Sequence, residues 1–160
     1  MPLLIDGNNL MFALKEFGMD VGRSGLCRLL SAMAARSPGK DRQVCVVFDG
    51  AAPHGPLMRQ IEAPGIQLRF SGRLKADELI LGAIADSTAP RRLTVVSTDR
   101  QIRSAARRRR CPGLTSREFA QRLMAALDRP VPRPSEPPEK RAGSTAQQTQ
   151  EWLREFGIQE

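Results

Sequence analysis

Four aspartates stand where an apolar run ends or a helix opens. Asp6 follows Leu3-Leu4-Ile5, and Asp49 follows Val44-Cys45-Val46-Val47-Phe48. Asp77 lies in Ala76-Asp77-Glu78, and Asp99 follows Val95-Val96-Ser97-Thr98. In an open parallel α/β sheet, ligands bind outside the carboxyl ends of the strands. If the apolar runs are strands of one such sheet, the four carboxylates face one crevice. Crowded carboxylates raise one another's pKa. A hard divalent cation removes that conflict, because it takes oxygen ligands readily. Magnesium keeps part of its water shell and binds phosphate oxygens through its remaining sites. Such an ion activates a water and stabilises charge on a phosphodiester. Each aspartate also has a structural reading: Asp77 as a first-turn helix residue, Asp99 as an N-cap and Asp49 as a turn residue. Four such coincidences on one edge weigh towards a metal site.

The elements that would position these residues follow from hydrophobic period and turn chemistry. Leu3-Leu4-Ile5-Asp6-Gly7-Asn8-Asn9 reads as a buried strand, a sharp turn at Gly7 and a helix start, with Met11, Phe12 and Leu14 at helical spacing. Asn9 is assigned to capping that helix. Residues 22–35 carry Leu26, Leu29, Leu30 and Met33 on one stripe and stop at Ser37-Pro38-Gly39. Residues 43–48 form a continuous apolar, β-branched run, as in a parallel strand buried on both faces. A loop follows, with a short helix around residues 57–61 and His54 as a solvated residue. Ile66-Gln67-Leu68-Arg69-Phe70 alternates and suits a strand nearer the sheet edge.

Ala76 opens a helix carrying Leu79, Ile80, Ala83 and Ile84. Residues 92–97 form a fourth strand, and Ile102, Ala105 and Ala106 a helix running into Arg107, Arg108, Arg109 and Arg110. Those arginines suit a helix C-terminus, where the dipole stabilises cations. Residues 112–115 make a small fifth strand, and Ser116 caps a last helix with Glu118 in its first turn. Strands alternating with helices imply a parallel sheet with helical crossovers. The globular domain is expected over residues 1–128, a Pro-rich linker over 129–143 and an amphipathic tail over 144–160. Trp152 and Phe156 share a face of that tail, which should dock on its own domain or on a neighbouring molecule.

Composition narrows the partners. Lys and Arg total 25 against 17 Asp and Glu, for a net charge of +8. The excess is mostly arginine, which suits bidentate phosphate contacts and a polyanionic partner. With six Phe, one Trp and no Tyr, the chain is built to grip phosphates more than to read bases. Arg69, Arg73, Lys75, Arg100 and Arg103 flank the acidic motifs, and Arg73, Lys75 and Arg100 lie nearest to them. Three widely spaced cysteines with no CxxC pair argue against a disulfide framework or a zinc site, so a reducing cytoplasm is the default. No G-x-G-x-x-G, Walker A or G-x-S-x-G sequence is present. No apolar run is long enough to span a bilayer.

Ile5-Asp6-Gly7-Asn8-Asn9, Val46-Val47-Phe48-Asp49-Gly50, Ala76-Asp77-Glu78 and Val95-Val96-Ser97-Thr98-Asp99-Arg100 occur in that order. Together they resemble the NYN domains of the PIN-like nuclease superfamily, especially the bacterial YacP-like branch. Leu114-Thr115-Ser116-Arg117-Glu118-Phe119 is similar to that branch's last strand-to-helix junction. The resemblance implies a Rossmann-like α/β sheet of order 3-2-1-4-5 with helices on both faces. It also implies a Mg²⁺- or Mn²⁺-dependent endoribonuclease, acting on free or ribosome-bound RNA. The family's acidic positions fall on Asp6, Asp49, Asp77 and Asp99, and its Asn on Asn8, placed to orient a ligand or water. Glu78, one helical step from Asp77, points elsewhere. The loop Gly50-Ala51-Ala52-Pro53-His54 departs from the Ala-His form of many relatives. Two alternatives stay open: an RNA-binding module that does not cut, and a small-phosphate hydrolase on the same metal edge.

Overall fold

The computed structural model describes residues 2–36 and 43–128. The expected linker and tail, with Trp152 and Phe156, lie outside the described residues. All elements below belong to the unit Met1–Pro130.

Five strands form one sheet: β1 (Leu3–Asp6), β2 (Val44–Phe48), β3 (Ile66–Phe70), β4 (Thr94–Val96) and β5 (Gly113–Leu114). Every pairing is parallel, and the order is β3-β2-β1-β4-β5. The expected order is therefore the observed one. Between the strands run helices α1 (Gly7–Glu16), α2 (Arg23–Arg36), α3 (Pro56–Ile61), α4 (Ala76–Asp86) and α5 (Arg100–Arg108), and α6 (Ser116–Asp128) follows β5. Among the described residues no helix is long and apolar enough to cross a membrane.

The strands' period of two divides the core into two layers. Leu3, Ile5, Val44, Val46, Phe48 and Val96 pack against α1, α2 and α6. Leu4, Val47 and Val95 face the opposite way, onto Ala76, Ile80 and Ile84 of α4 and Ile102, Ala105 and Ala106 of α5. Central strands covered on both faces must be apolar throughout, which is why β1 and β2 read as unbroken runs. At the edge strand β3, Ile66, Leu68 and Phe70 pack inward while Gln67 and Arg69 remain exposed. Alternation in that segment thus reports a strand with one open face.

Local chemistry differs from the expectation in three places. The cap of α1 is Asp6, whose carboxylate accepts the Asn9 backbone N–H at 3.0 Å, so Asn9 is not the cap. The cap of α6 is Thr115, not Ser116. Thr115 and Glu118 exchange hydrogen bonds in a capping box, the Glu118 carboxylate accepting from the Thr115 N–H and hydroxyl at 2.8 Å each. The hydrogen bonds from Thr115 hold the Glu118 carboxyl below the ordinary range. Third, Arg109 closes another helix than its own. Its guanidinium donates to the Ala85 and Ser87 carbonyls at 3.1 and 2.9 Å, satisfying orphan acceptors at the end of α4.

Gly7 is needed for a reason other than a sharp turn. A Cβ there would fall on the Phe48 ring and lie 3.0 Å from Val46 Cγ1. The positive φ belongs instead to Gly50, at +87°. Gly7→Ala should therefore destabilise the protein by about 1–3 kcal/mol through overpacking, despite alanine's better helix propensity. Chemical denaturation of wild type and variant checks this.

Candidate active site

The site is assembled by strand ends. β1 and β2 end side by side in register, Asp6 opposite Val47, and place Asp6 and Asp49 on the carboxyl edge. β4 pairs with β1 on the other side and leads through Ser97 and Thr98 to Asp99. The loop after β3 returns to the same edge, because the Ser71 N–H bonds the Phe48 carbonyl and the Gly72 N–H bonds the Gly50 carbonyl. That return sets the start of α4, and with it Asp77.

Two hydrogen-bonded groups hold the carboxylates. In the first, Asp6 is 2% exposed and accepts from the Asn9 N–H, the Asn9 side-chain amide and the Ser97 hydroxyl, the last at 3.2 Å. The Ser97 hydroxyl in turn accepts the Asp99 N–H at 3.1 Å. Asp99 caps α5 through Oδ1, which accepts the N–H groups of Gln101 and Ile102 at 2.7 and 3.0 Å. In the second group, Asp49 Oδ2 accepts from the Asn8 amide at 2.8 Å and Oδ1 from the Ala76 N–H at 2.7 Å. Consecutive residues of α1 thus serve different carboxylates, Asn8 on Asp49 and Asn9 on Asp6.

Asp77 accepts no hydrogen bond among the described residues. Its pKa is raised, first by partial burial and then by the charges of Asp6, Asp99 and Asp49, while Lys75 acts in the opposite sense. All four expected acids therefore share one electrostatic site. They are not drawn into a cage: among the described residues no three His, Cys, Asp or Glu side chains converge tightly enough to hold a metal.

The matching family model is that of the YacP-like NYN domain, over residues 3–155. The chain belongs to this family. Two solved structures of Rae1 (YacP) from Bacillus subtilis share its fold. The W164L mutant is 20% identical, with a TM-score of 0.58, over 78% of this chain and 76% of that one. The other Rae1 structure is 19% identical, with a TM-score of 0.57, over 98% and 84%. No curated protein matches the sequence. The NYN domain is a nuclease-type fold of the PIN-like class.

In this NYN domain the expected cations divide by position. Lys75 is near enough to Asp77 to oppose the rise in its pKa, and Arg73 lies exposed two residues before it. Arg100 is the first residue of α5, exposed, with no ion pair among the described residues. Arg69 and Glu78 instead line a cleft of about 600 Å³ beside α4, together with Cys45 and Gln67. Glu78 thus points away from the carboxylates, as expected from its helical step. His54 is exposed in its loop.

Two contributors do not stand out in the sequence. Ser97 closes an apolar strand there, yet its hydroxyl links Asp6 to Asp99. Arg23, the first residue of α2, donates to the Asp49 backbone carbonyl at 2.8 Å. Its guanidinium lies 5.3 Å from the Phe48 ring centroid and 5.7 Å from that of Phe70, a cation–π position. Only a polar residue after an apolar strand signals Ser97, and no local pattern signals Arg23.

The raised pKa of Asp77 fixes a sign. A carboxyl that binds its proton more tightly when folded adds stability below its unfolded pKa, and that stability is lost as pH rises through the folded value. At neutral pH the Asp77 charge therefore opposes folding of the metal-free protein. Asp77→Asn should melt higher than wild type in EDTA at about pH 7, and the gap should close towards about pH 4, where ordinary Asp protonates. Thermal melts across that range check it.

Proposed function

We propose that this NYN domain is a metal-dependent endoribonuclease that cleaves RNA phosphodiester bonds at the carboxyl edge of its sheet, with Mg²⁺ or Mn²⁺ as the cation. One observation carries the reading: the carboxylates of Asp6, Asp49 and Asp99, brought in by three strand ends, act together on Asp77 at the start of α4, with Lys75 acting against them.

The donor set fits a hard cation. It is all oxygen, and it includes groups free to bind: both oxygens of Asp77 and Oδ2 of Asp99 accept no hydrogen bond among the described residues. Mg²⁺ is commonly held by one or two carboxylates and keeps several waters. Asp77 and Asp99 are the direct holders in this reading, with Asp6 and Asp49 acting alongside them. When bound, such a cation lowers the pKa of a water and offsets charge on the phosphodiester. Asn8 keeps Asp49 oriented and retains a free amide oxygen for a ligand or water. Arg73, Lys75 and Arg100 are exposed and take the RNA phosphates. All three cysteines are free thiols, which supports action in a reducing cytoplasm.

Purified protein assayed on RNA, single-stranded DNA and a small phosphate ester, with Mg²⁺, with Mn²⁺ and with EDTA, tests this directly. Cation-dependent cleavage of RNA alone is expected. Binding without cleavage would leave a non-cutting RNA module, and turnover of the small ester alone a phosphatase. Asp99→Asn preserves the cap of α5, since Asn caps about as well as Asp, so its stability should change little. Its cleavage rate should fall by about 10²-fold or more, the scale of losing one preorganised electrostatic group. RNA affinity measured in EDTA should persist in this variant. In the same assay, Arg73→Ala or Lys75→Ala should weaken all RNA sequences alike and flatten the slope of log K against log salt by about one unit.

A further inference from the structure

Phe12 is the aromatic ring of this domain most exposed to solvent among the described residues, at 68%. The other described rings have partners or cover. Phe48 and Phe119 are buried, Phe70 packs on Phe48 and beneath Arg23, and Phe17 lies under Arg117. Phe12 contributes to neither core layer. An open phenyl ring on a helix gains nothing for folding.

Its position on α1 supplies a purpose. Phe12 is four residues after Asn8, so the two share a face of the helix. Long helical side chains lean towards the helix N-terminus and cover the turn before their own Cα. The N-terminus of α1 is the carboxyl edge of the sheet, and the turn before Phe12 carries the Asn8 side chain that bonds Asp49. Across Asp49, the Ala76 N–H bonds its other oxygen, and Leu74, 54% exposed, lies two residues earlier, between Arg73 and Lys75. Each of the two groups that hold Asp49 thus has an exposed apolar side chain close to it in the chain, with the cations Arg73 and Lys75 beside Leu74.

We infer that Phe12 is a stacking platform for an unpaired RNA base next to the phosphate being cleaved. The inference rests on the endoribonuclease reading above and deepens it. The patch suits a base better than a protein partner. The exposed α1 neighbours of Phe12 are Lys15 and Glu16, so the apolar area is one ring wide, about the size of a base and far below a stable protein interface. Charge is complementary as well: the exposed Arg73, Lys75 and Arg100 fit a phosphate chain. In a duplex the bases are already stacked on one another, so the ring could not engage one without unpairing it. One platform does not overturn the reading that the chain grips phosphates more than bases. It adds a preference for strand state, not for sequence.

The test is binding of a fluorescently labelled RNA oligonucleotide, single-stranded or as a blunt duplex of the same sequence, measured by anisotropy in EDTA so that cleavage plays no part. Phe12→Ala should weaken single-strand binding by about tenfold, within the range for losing one stacked base, and leave duplex binding unchanged. Phe12→Leu, which keeps apolar bulk but no π face, should lose most of the same affinity. Phe12→Trp should retain it and show fluorescence quenching on adding the single strand, beyond that of wild type. Wild-type-like single-strand affinity in both Phe12→Ala and Phe12→Leu would overturn the platform while leaving the nuclease reading intact. A change of oligomer size in Phe12→Ala, with RNA affinity unaltered, would assign the ring to a protein contact instead. If the wild type binds no RNA at all, the endoribonuclease reading fails, and the platform fails with it.

Discussion

Like-charge repulsion at the carboxyl edge of the sheet is the constraint this fold has to satisfy. Two carboxylates about 4 Å apart repel by ~1 kcal/mol in water and by several times that near a protein surface of lower dielectric. The domain brings four such groups to one edge, and it anchors three of them through donors fixed to the backbone. Asp6 is held by Asn9 and Ser97, Asp49 by Asn8 and the Ala76 N–H, and Asp99 by the first N–H groups of α5. These donors fix the orientation of the carboxylates they bond. Asp77 has none among the described residues, and its pKa is raised, first by partial burial and then by the charges of the other three acids. The electrostatic tension is thus concentrated at the acid whose oxygens are free to bind.

That anchoring depends on how closely α1 follows β1. Because Gly7 has no Cβ, the Phe48 ring packs directly against the helix start. Asp6, the last residue of the strand, is at once the cap of the helix. Asn8 and Asn9 then fall within one turn, pointing to neighbouring strand ends. Phe48 is shared by both arrangements: one side of its ring meets Gly7, and Arg23 approaches it while bonding the Asp49 carbonyl. Packing and polar positioning are one construction here, so a volume change beneath the site is also a change in the site.

The features legible in the sequence are those written in consecutive residues. Unbroken apolar runs ending in Asp identified β1 and β2, and alternation placed Ile66–Phe70 at an edge. The strand order came from the family resemblance, since hydrophobic period says nothing about which strands adjoin. Contacts between distant segments left no trace: Arg23 lies 26 residues from Asp49, and Arg109 lies 22 residues from Ser87. The arginine run at residues 107–110 was rightly given to a helix end, but one of its members serves the end of α4. The cap of α6 is a different case, because the signal was there. Thr115-Ser116-Arg117-Glu118 has the S/T-x-x-E form of a capping box, and counting three residues back from Glu118 selects Thr115 over Ser116. At Gly7 the residue type fits a sharp turn and a close approach of another chain segment equally well, and the structure has the close approach, from Phe48.

Capping and chemistry are often weighed as rival explanations for an aspartate at a strand end, and here they are not rivals. Asp6 and Asp99 both cap helices, and both contribute charge to the environment of Asp77. A cap needs one carboxylate oxygen in place to accept backbone N–H groups. At Asp99 the second oxygen accepts nothing among the described residues. The cap therefore orients the carboxylate for a ligand: it fixes one oxygen on the helix and leaves the other free. It follows that the sign of a stability change on truncation cannot by itself tell a cap from a binding residue at positions 6 and 99, because truncation relieves repulsion and removes the cap together. Asp77 is free of that ambiguity. It is not the cap of α4 and accepts no hydrogen bond among the described residues, so its charge is felt through its partial burial, the other three acids and Lys75. Of the four positions, it is the one where electrostatics can be separated from helix capping.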